Sequence, residues 1–165
     1  MDDAGIRRLA DRIEITELLS RYADMVDRRD WPRMDRIFAL EATIDFRPAG
    51  GPFGPFREMI AWLDRALDSW PNNLHLITNV IVELDGDRAS SRCYFHVPIG
   101  REAHDGRQYT LTESGRFLDR LIRTAHGWRI VARVCEEVVR EGRLPEGYTI
   151  PRERRREAAK PARTP

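Results

Sequence analysis

The 165-residue chain is poor in cysteine, in histidine and in long apolar runs, and each scarcity removes a class of protein. Its two cysteines, Cys93 and Cys135, fall in separate strand-like stretches with no CxxC spacing. That argues for buried free thiols and against a disulfide framework. The four histidines form no HxxxH, HExxH or His/carboxylate cluster, so no metal site and no cofactor are expected. No GxGxxG or Walker spacing offers a phosphate cradle. The apolar runs fall far short of a membrane span, and the N-terminus, charged from Asp2 onward, lacks an apolar signal region. The expected setting is the cytoplasm, away from membranes. The net charge is only +1; residues 151–165 hold six basic and two acidic side chains, so they carry +4 and the first 150 residues −3. A mildly acidic body with a basic end is not the charge pattern of a nucleic-acid reader. One domain over residues 1–150, followed by a basic disordered tail over 151–165, accounts for the length and composition.

What is present is a change of period along the chain. Apolar residues at helical spacing (Ile6, Leu9, Ile13, Leu18, Leu19, Tyr22, Ala23, Val26) predict a helix over residues 6–27, with an early kink or a separate first turn near Asp11. Asp30-Trp31-Pro32 reads as a helix restart that turns Met34, Ile37 and Phe38 inward. Residues 42–47 alternate as a strand, "PAGGPFGP" is a loop, and Pro55 opens a third helix from Phe56 to about Trp70. From residue 74 onward the chain is β-branched. Strands are expected over 74–84 and 89–97, joined by the hairpin signal "DGD", then over 109–123 and 128–139. Helices first and antiparallel strands after them make an α+β fold, with a curved sheet closing one side of a pocket.

Two titratable residues stand out. Asp27 lies at the C-terminal end of its helix, where the dipole disfavours an anion by roughly 0.3–1 kcal/mol. His75 opens an apolar strand, and strict alternation places it on one face with Ile77, Asn79 and Ile81. Periodicity alone leaves His75 open between a core histidine bonded to backbone and a cavity-lining base. A carboxylate bonded to one ring nitrogen would leave the other basic near neutral pH. Arg133, flanked by apolar residues in "WRIVARV", is either a binder of a carboxylate or anionic leaving group, or a residue of the outer face.

Three stretches, "ITELLSRYADMVDRRDWPRMDRIFALEATIDF", "HLITNVIVELDGDRASSRCYF" and "GRFLDRLIRTAHGWRIVAR", give the chain over about residues 6–139 a resemblance to the SnoaL-like branch of the NTF2-like superfamily. Its pattern is most similar to the group of scytalone dehydratase, bile-acid 7α-dehydratase and hexachlorocyclohexane dehydrochlorinase. The resemblance implies a cone-shaped α+β barrel with N-terminal helices packed in a strongly curved, mixed, mainly antiparallel sheet, and a homo-oligomer (dimer or trimer). It places the aspartate and histidine of a catalytic dyad on Asp27 and His75, and substrate-binding groups on Tyr22, Arg133 and, more loosely, Tyr109. Phe46 and Asn79 join these as candidate lining residues, with Phe53, Phe56 and Trp62 as candidates for an apolar wall or lid. The groups that select substrate depart from each of those enzymes: Val26, Phe46 and Ile99 stand near positions where scytalone dehydratase has two tyrosines and a second histidine. Tyr22 and Ile44 align with the lysine and tryptophan of the dehydrochlorinase. The implied function is a cofactor-independent lyase or isomerase that abstracts a proton from a hydrophobic cyclic small molecule. A non-catalytic binding protein for a hydrophobic ligand and a polyketide cyclase-type enzyme are the alternatives.

Overall fold

The computed structural model describes residues 2–143; the tail expected at 151–165 and the last residues of the domain expected at 1–150 lie outside them. The chain opens with α1 (Asp3–Asp27), capped by Asp2, whose carboxylate accepts the Gly5 N–H at 2.8 Å. A 3₁₀ turn (Trp31–Arg36) leads into β1 (Phe38–Asp45), and a second one (Arg47–Ala49) into β2 (Phe53–Pro55) and α2 (Phe56–Leu67). Five strands follow: β3 (Asn72–Asn73), β4 (Leu76–Asp85), β5 (Arg88–Glu102), β6 (Gln108–Thr124) and β7 (Gly127–Arg143). All seven strands form one sheet in the order β2-β1-β7-β6-β5-β3, with β4 also paired to β5. Every pairing is antiparallel except β1 with β7. The expected α+β fold is therefore present as an open cone, because the two ends of the sheet do not pair. No described helix is long and apolar enough to cross a membrane.

α1 runs unbroken, and its inward stripe is narrower than the apolar pattern suggests. Ile15, Leu18, Leu19, Tyr22 and Val26 are buried, whereas Ile6, Leu9 and Ile13 are each about half exposed, at 54%, 50% and 53%. At 100° per residue, Ile13 lies on the far side of the helix from Ile15, so the early apolar residues form a second stripe facing outward. The inward stripe continues instead through buried Asp11, which accepts from Arg123 at 2.6 Å and from the Trp128 indole at 3.2 Å. α1 ends in a Schellman motif: Asp30 N–H bonds Met25 C=O at 2.8 Å and Arg29 N–H bonds Val26 C=O at 3.0 Å. Arg29 takes the left-handed position (φ 55°) usually given to glycine, and its guanidinium reaches Leu67 C=O at 2.7 Å and Asp68 at 3.2 Å. The end of α1 is thereby fastened to the end of α2. The expected helix restart at Asp30 is a 3₁₀ turn with no side-chain cap, and β1 begins at Phe38, earlier than the alternation indicates.

Two irregularities re-aim the strands. Between Thr78 and Ile81 the β4–β5 register shifts, with Asn79 in the left-handed region at φ 53°. Asn tolerates that conformation better than β-branched residues. The bulge turns Val80, Val82 and Leu84 inward after His75 and Ile77, leaving Asn79 and Ile81 exposed. The expected shared face of His75, Asn79 and Ile81 is thus broken after Ile77. On β6, a side chain at Gly115 would put Cβ 1.9 Å from the Glu136 carbonyl oxygen and 2.7 Å from the Phe95 ring. Only glycine allows β7 and Phe95 to come so close.

Both cysteines are free and buried. They sit in one cross-strand row, Cys93–Phe117–Cys135, with a whole strand between them. Two strand spacings of about 4.8 Å exceed the Cα separation a disulfide can span.

Candidate active site

Asp27 is the last residue of α1, and its carboxylate points away from the helix axis toward the β3–β4 corner. Oδ1 lies 2.6 Å from His75 Nδ1 and accepts from Asn73 Nδ2 at 2.8 Å; Oδ2 accepts the His75 backbone N–H at 2.9 Å. Three donors converge on one carboxylate, and they replace the favourable field that a helix C-terminus cannot supply. Burial by itself would raise the Asp27 pKa, but the hydrogen bonds and charge of His75, with Asn73, outweigh it and hold the carboxyl below its ordinary value. Beside an ionised Asp27, a neutral imidazole carries its proton on Nδ1, which makes Nε2 its basic nitrogen. The His75 side chain is only 8% exposed, and its ring borders a cavity of about 750 Å³, within the range of about 300–1,000 Å³ typical of small-molecule sites.

The cavity lies between the concave sheet and α2. Phe95, Val97 and Leu111 line its sheet side; Trp62, Leu63 and Trp70 come from α2 and the segment after it. Tyr22 and Phe46 border it as well. Burial pushes the Tyr22 phenol up to about 12, so it stays a neutral hydrogen-bond donor. Its ring stands edge-on to Phe38 and Phe117.

Three other candidates lie elsewhere. Arg133 does not line the cavity. It is fully buried against the directly opposed Asp119, in a bidentate pair at 2.7 and 2.8 Å. Its guanidinium lies over the rings of Tyr22 and Phe117, 4.1 and 4.2 Å from their centroids. It is therefore a pillar beneath the Tyr22 and Phe117 rings, with two of its guanidinium nitrogens committed to Asp119. Burial opposes its charge, but Asp119 prevails and raises its pKa above the usual arginine value. Tyr109 is half-buried near the start of β6, outside the cavity lining, because its strand position pairs with Arg101 beyond the cavity. Asn79 is carried outward by the bulge. Of the proposed wall, Phe46 and Trp62 border the cavity and pack on each other at 5.2 Å, whereas Phe53 is 52% exposed and Phe56 stacks on Phe38 in the core.

Sequence reasoning passed over Glu113 and Arg140. Both line the same cavity as His75, and Arg140 Nη2 is 2.8 Å from Glu113 Oε1. A signal for Glu113 existed: Leu111, Glu113, Gly115 and Phe117 share one phase of β6. No comparable signal marks Arg140, because the register shift between Ser114 and Gly115 resets the phase of β7. Among the described residues no group of three or more His, Cys, Asp or Glu side chains is placed to hold a metal ion.

Comparison with known proteins agrees with this architecture. A family model described as a SnoaL-like domain matches residues 7–134. Uncharacterised proteins of Mycobacterium tuberculosis and Mycobacterium bovis are each 36% identical over 130 residues, covering 79% of this chain and 87% of theirs. A crystal structure from Kribbella flavida superposes with a TM-score of 0.73 at 28% identity, covering 81% of this chain and 95% of the other. LinA superposes with a TM-score of 0.70 at 19% identity, covering 88% and 97%, a likeness of fold.

Proposed function

The chain belongs to the SnoaL-like family, and from that premise we propose that it is a cofactor-independent lyase or isomerase acting on a hydrophobic cyclic small molecule. The observation that carries the reading is the 2.6 Å contact between Asp27 and His75 Nδ1 at the wall of a largely apolar cavity. His75 Nε2 is the base that removes a proton next to an electron-withdrawing carbonyl. Asp27 fixes the tautomer and stabilises the imidazolium that forms. Tyr22 donates a hydrogen bond to the substrate carbonyl as negative charge develops there. The aromatic and aliphatic walls bind the ring system and keep water away from the enolate.

A bound but unreacted ligand is what a pure binding protein would give, so turnover separates the two readings. The purified protein is incubated with cyclic hydroxy-ketones and steroid acyl thioesters, and products are followed by mass spectrometry. The proposal expects elimination or double-bond migration in at least one class, reduced about 100-fold or more in His75→Ala. Turnover that survives His75→Ala rejects the dyad, and binding with no chemistry in any class rejects the enzyme.

A further inference from the structure

One pair of cavity side chains has no part in the dyad. The cross-strand register places four inward positions in one row. Position 75 falls opposite Val97, between the Leu76–His96 pair and the Leu74 N–H bonded to Pro98 C=O; Val97 pairs with Glu113, and Glu113 with Arg140. Glu113 is therefore two strand spacings from His75, about 10 Å along the sheet, on the same concave wall. Both side chains extend from this span into the same cavity, so the adjacent α and β carbons of one substrate ring sit between them.

The environment of Glu113 determines what it does there. Arg140 Nη2 holds Glu113 Oε1 at 2.8 Å and is also paired with Glu137. Two carboxyls thus compete for one largely buried guanidinium beside Cys135. One positive charge offsets one negative charge, so the second carboxyl is stabilised by keeping its proton. Burial raises the Glu113 pKa first and Glu137 adds to this, while Arg140 and His75 act in the opposite sense; the net direction is upward. The Glu113 side chain remains 33% exposed, open to the cavity.

We propose that Glu113, positioned by Arg140 across the cavity from His75, is the general acid of the reaction, and that the substrate class is a neutral cyclic β-hydroxy ketone. The proposal rests on the dyad reading above. His75 Nε2 takes the α-proton, the C–H electrons form the new C=C bond, and the C–O bond to the β-carbon breaks. Glu113 delivers its proton to the departing hydroxyl, which leaves as water. Glu113 ends as a carboxylate and His75 as an imidazolium, and proton exchange with solvent restores both. Two carboxyls against one guanidinium do not attract an anion, so this end of the cavity fits a neutral oxygen substituent and not an anionic group of the substrate.

The test uses two bicyclic decalone probes, one with a β-hydroxyl and one with a β-acetoxy group, the latter leaving as acetate without needing a proton. Enone formation is followed by ultraviolet absorbance in wild type, Glu113→Gln and His75→Ala. The expected result is a loss of about 100-fold or more for Glu113→Gln on the hydroxy probe, with a change under about 3-fold on the acetoxy probe. His75→Ala should lose both. Equal loss on both probes, or none, in Glu113→Gln overturns the acid role while leaving the dyad standing. Wild type inert toward both probes contradicts the elimination reading, and the acid falls with it. A second measurement needs no substrate. Infrared difference spectra at neutral pH should show a protonated-carboxyl C=O band in wild type that vanishes in Glu113→Gln; a spectrum without that band overturns the assignment.

Discussion

At the scale of single residues, the paired charges behave differently according to where they sit. Asp27 carries a carboxyl held below its ordinary pKa, and the sign of its effect on stability follows directly. Its contribution is fully present above the unfolded pKa of about 3.9 and is lost as pH falls through the lower folded value. Asp27→Asn should therefore flatten the loss of stability below about pH 4, measured as urea midpoints across an acid series. Arg133 and Asp119 make the opposite kind of pair, wholly enclosed and remote from solvent. Asp119→Asn leaves a guanidinium buried without its counter-charge, and should cost about 3–5 kcal/mol by chemical denaturation. Its role was only half legible in sequence. "WRIVARV" showed an arginine among apolar neighbours, but not that Asp119 stands directly across the strand pair. Asp27 and His75 were legible because each breaks a local rule, one at the wrong helix end and the other at the head of an apolar strand.

At the scale of elements, the periodic readings succeed where strands are regular and fail at bulges. The alternation in "LHLITNVIVEL" projects Asn79 onto the face of His75, but the bulge at Asn79 inverts the phase from there on. Nothing in a two-residue period announces that inversion; the hint is only that Asn accepts φ > 0 more readily than its β-branched neighbours. Asn79→Val should accordingly destabilise by about 1–2 kcal/mol, whereas Asn79→Gly should be close to neutral, both read from thermal unfolding. Gly115 gives a sharper case, since its missing side chain is what lets Phe95 and β7 approach. Gly115→Ala should cost about 2 kcal/mol or more, because the obstacle includes backbone that has little room to move. In α1, two apolar stripes on opposite faces read in sequence as one. Burial of Asp11 by Arg123 and Trp128 selects the stripe that carries Ile15, Leu18 and Tyr22.

At the scale of the whole molecule, an open sheet curled over two helices leaves a cavity of about 750 Å³ in which His75, Glu113 and Arg140 fall in one cross-strand row. The fold class was readable from the order of elements. The content of the cavity was not, because its walls come from α1, α2, the β1–β2 segment, His75 just ahead of β4, and the three strands β5, β6 and β7. Filling the space between the dyad and Glu113 should disable the site without unfolding the protein. Val97→Phe is expected to abolish turnover of any cyclic ketone while leaving the unfolding midpoint unchanged or raised.

The central claim is that His75 is a carbon base, and it can be tested without knowing the leaving group. Unsubstituted 2-decalone is incubated with the protein in D₂O, and loss of its α-proton signals is followed by NMR. The account predicts exchange from one face of the ring only, with the catalysed rate falling about 100-fold or more in His75→Ala and in Asp27→Asn. Exchange no faster with wild type than with His75→Ala, or equal from both faces, would contradict it.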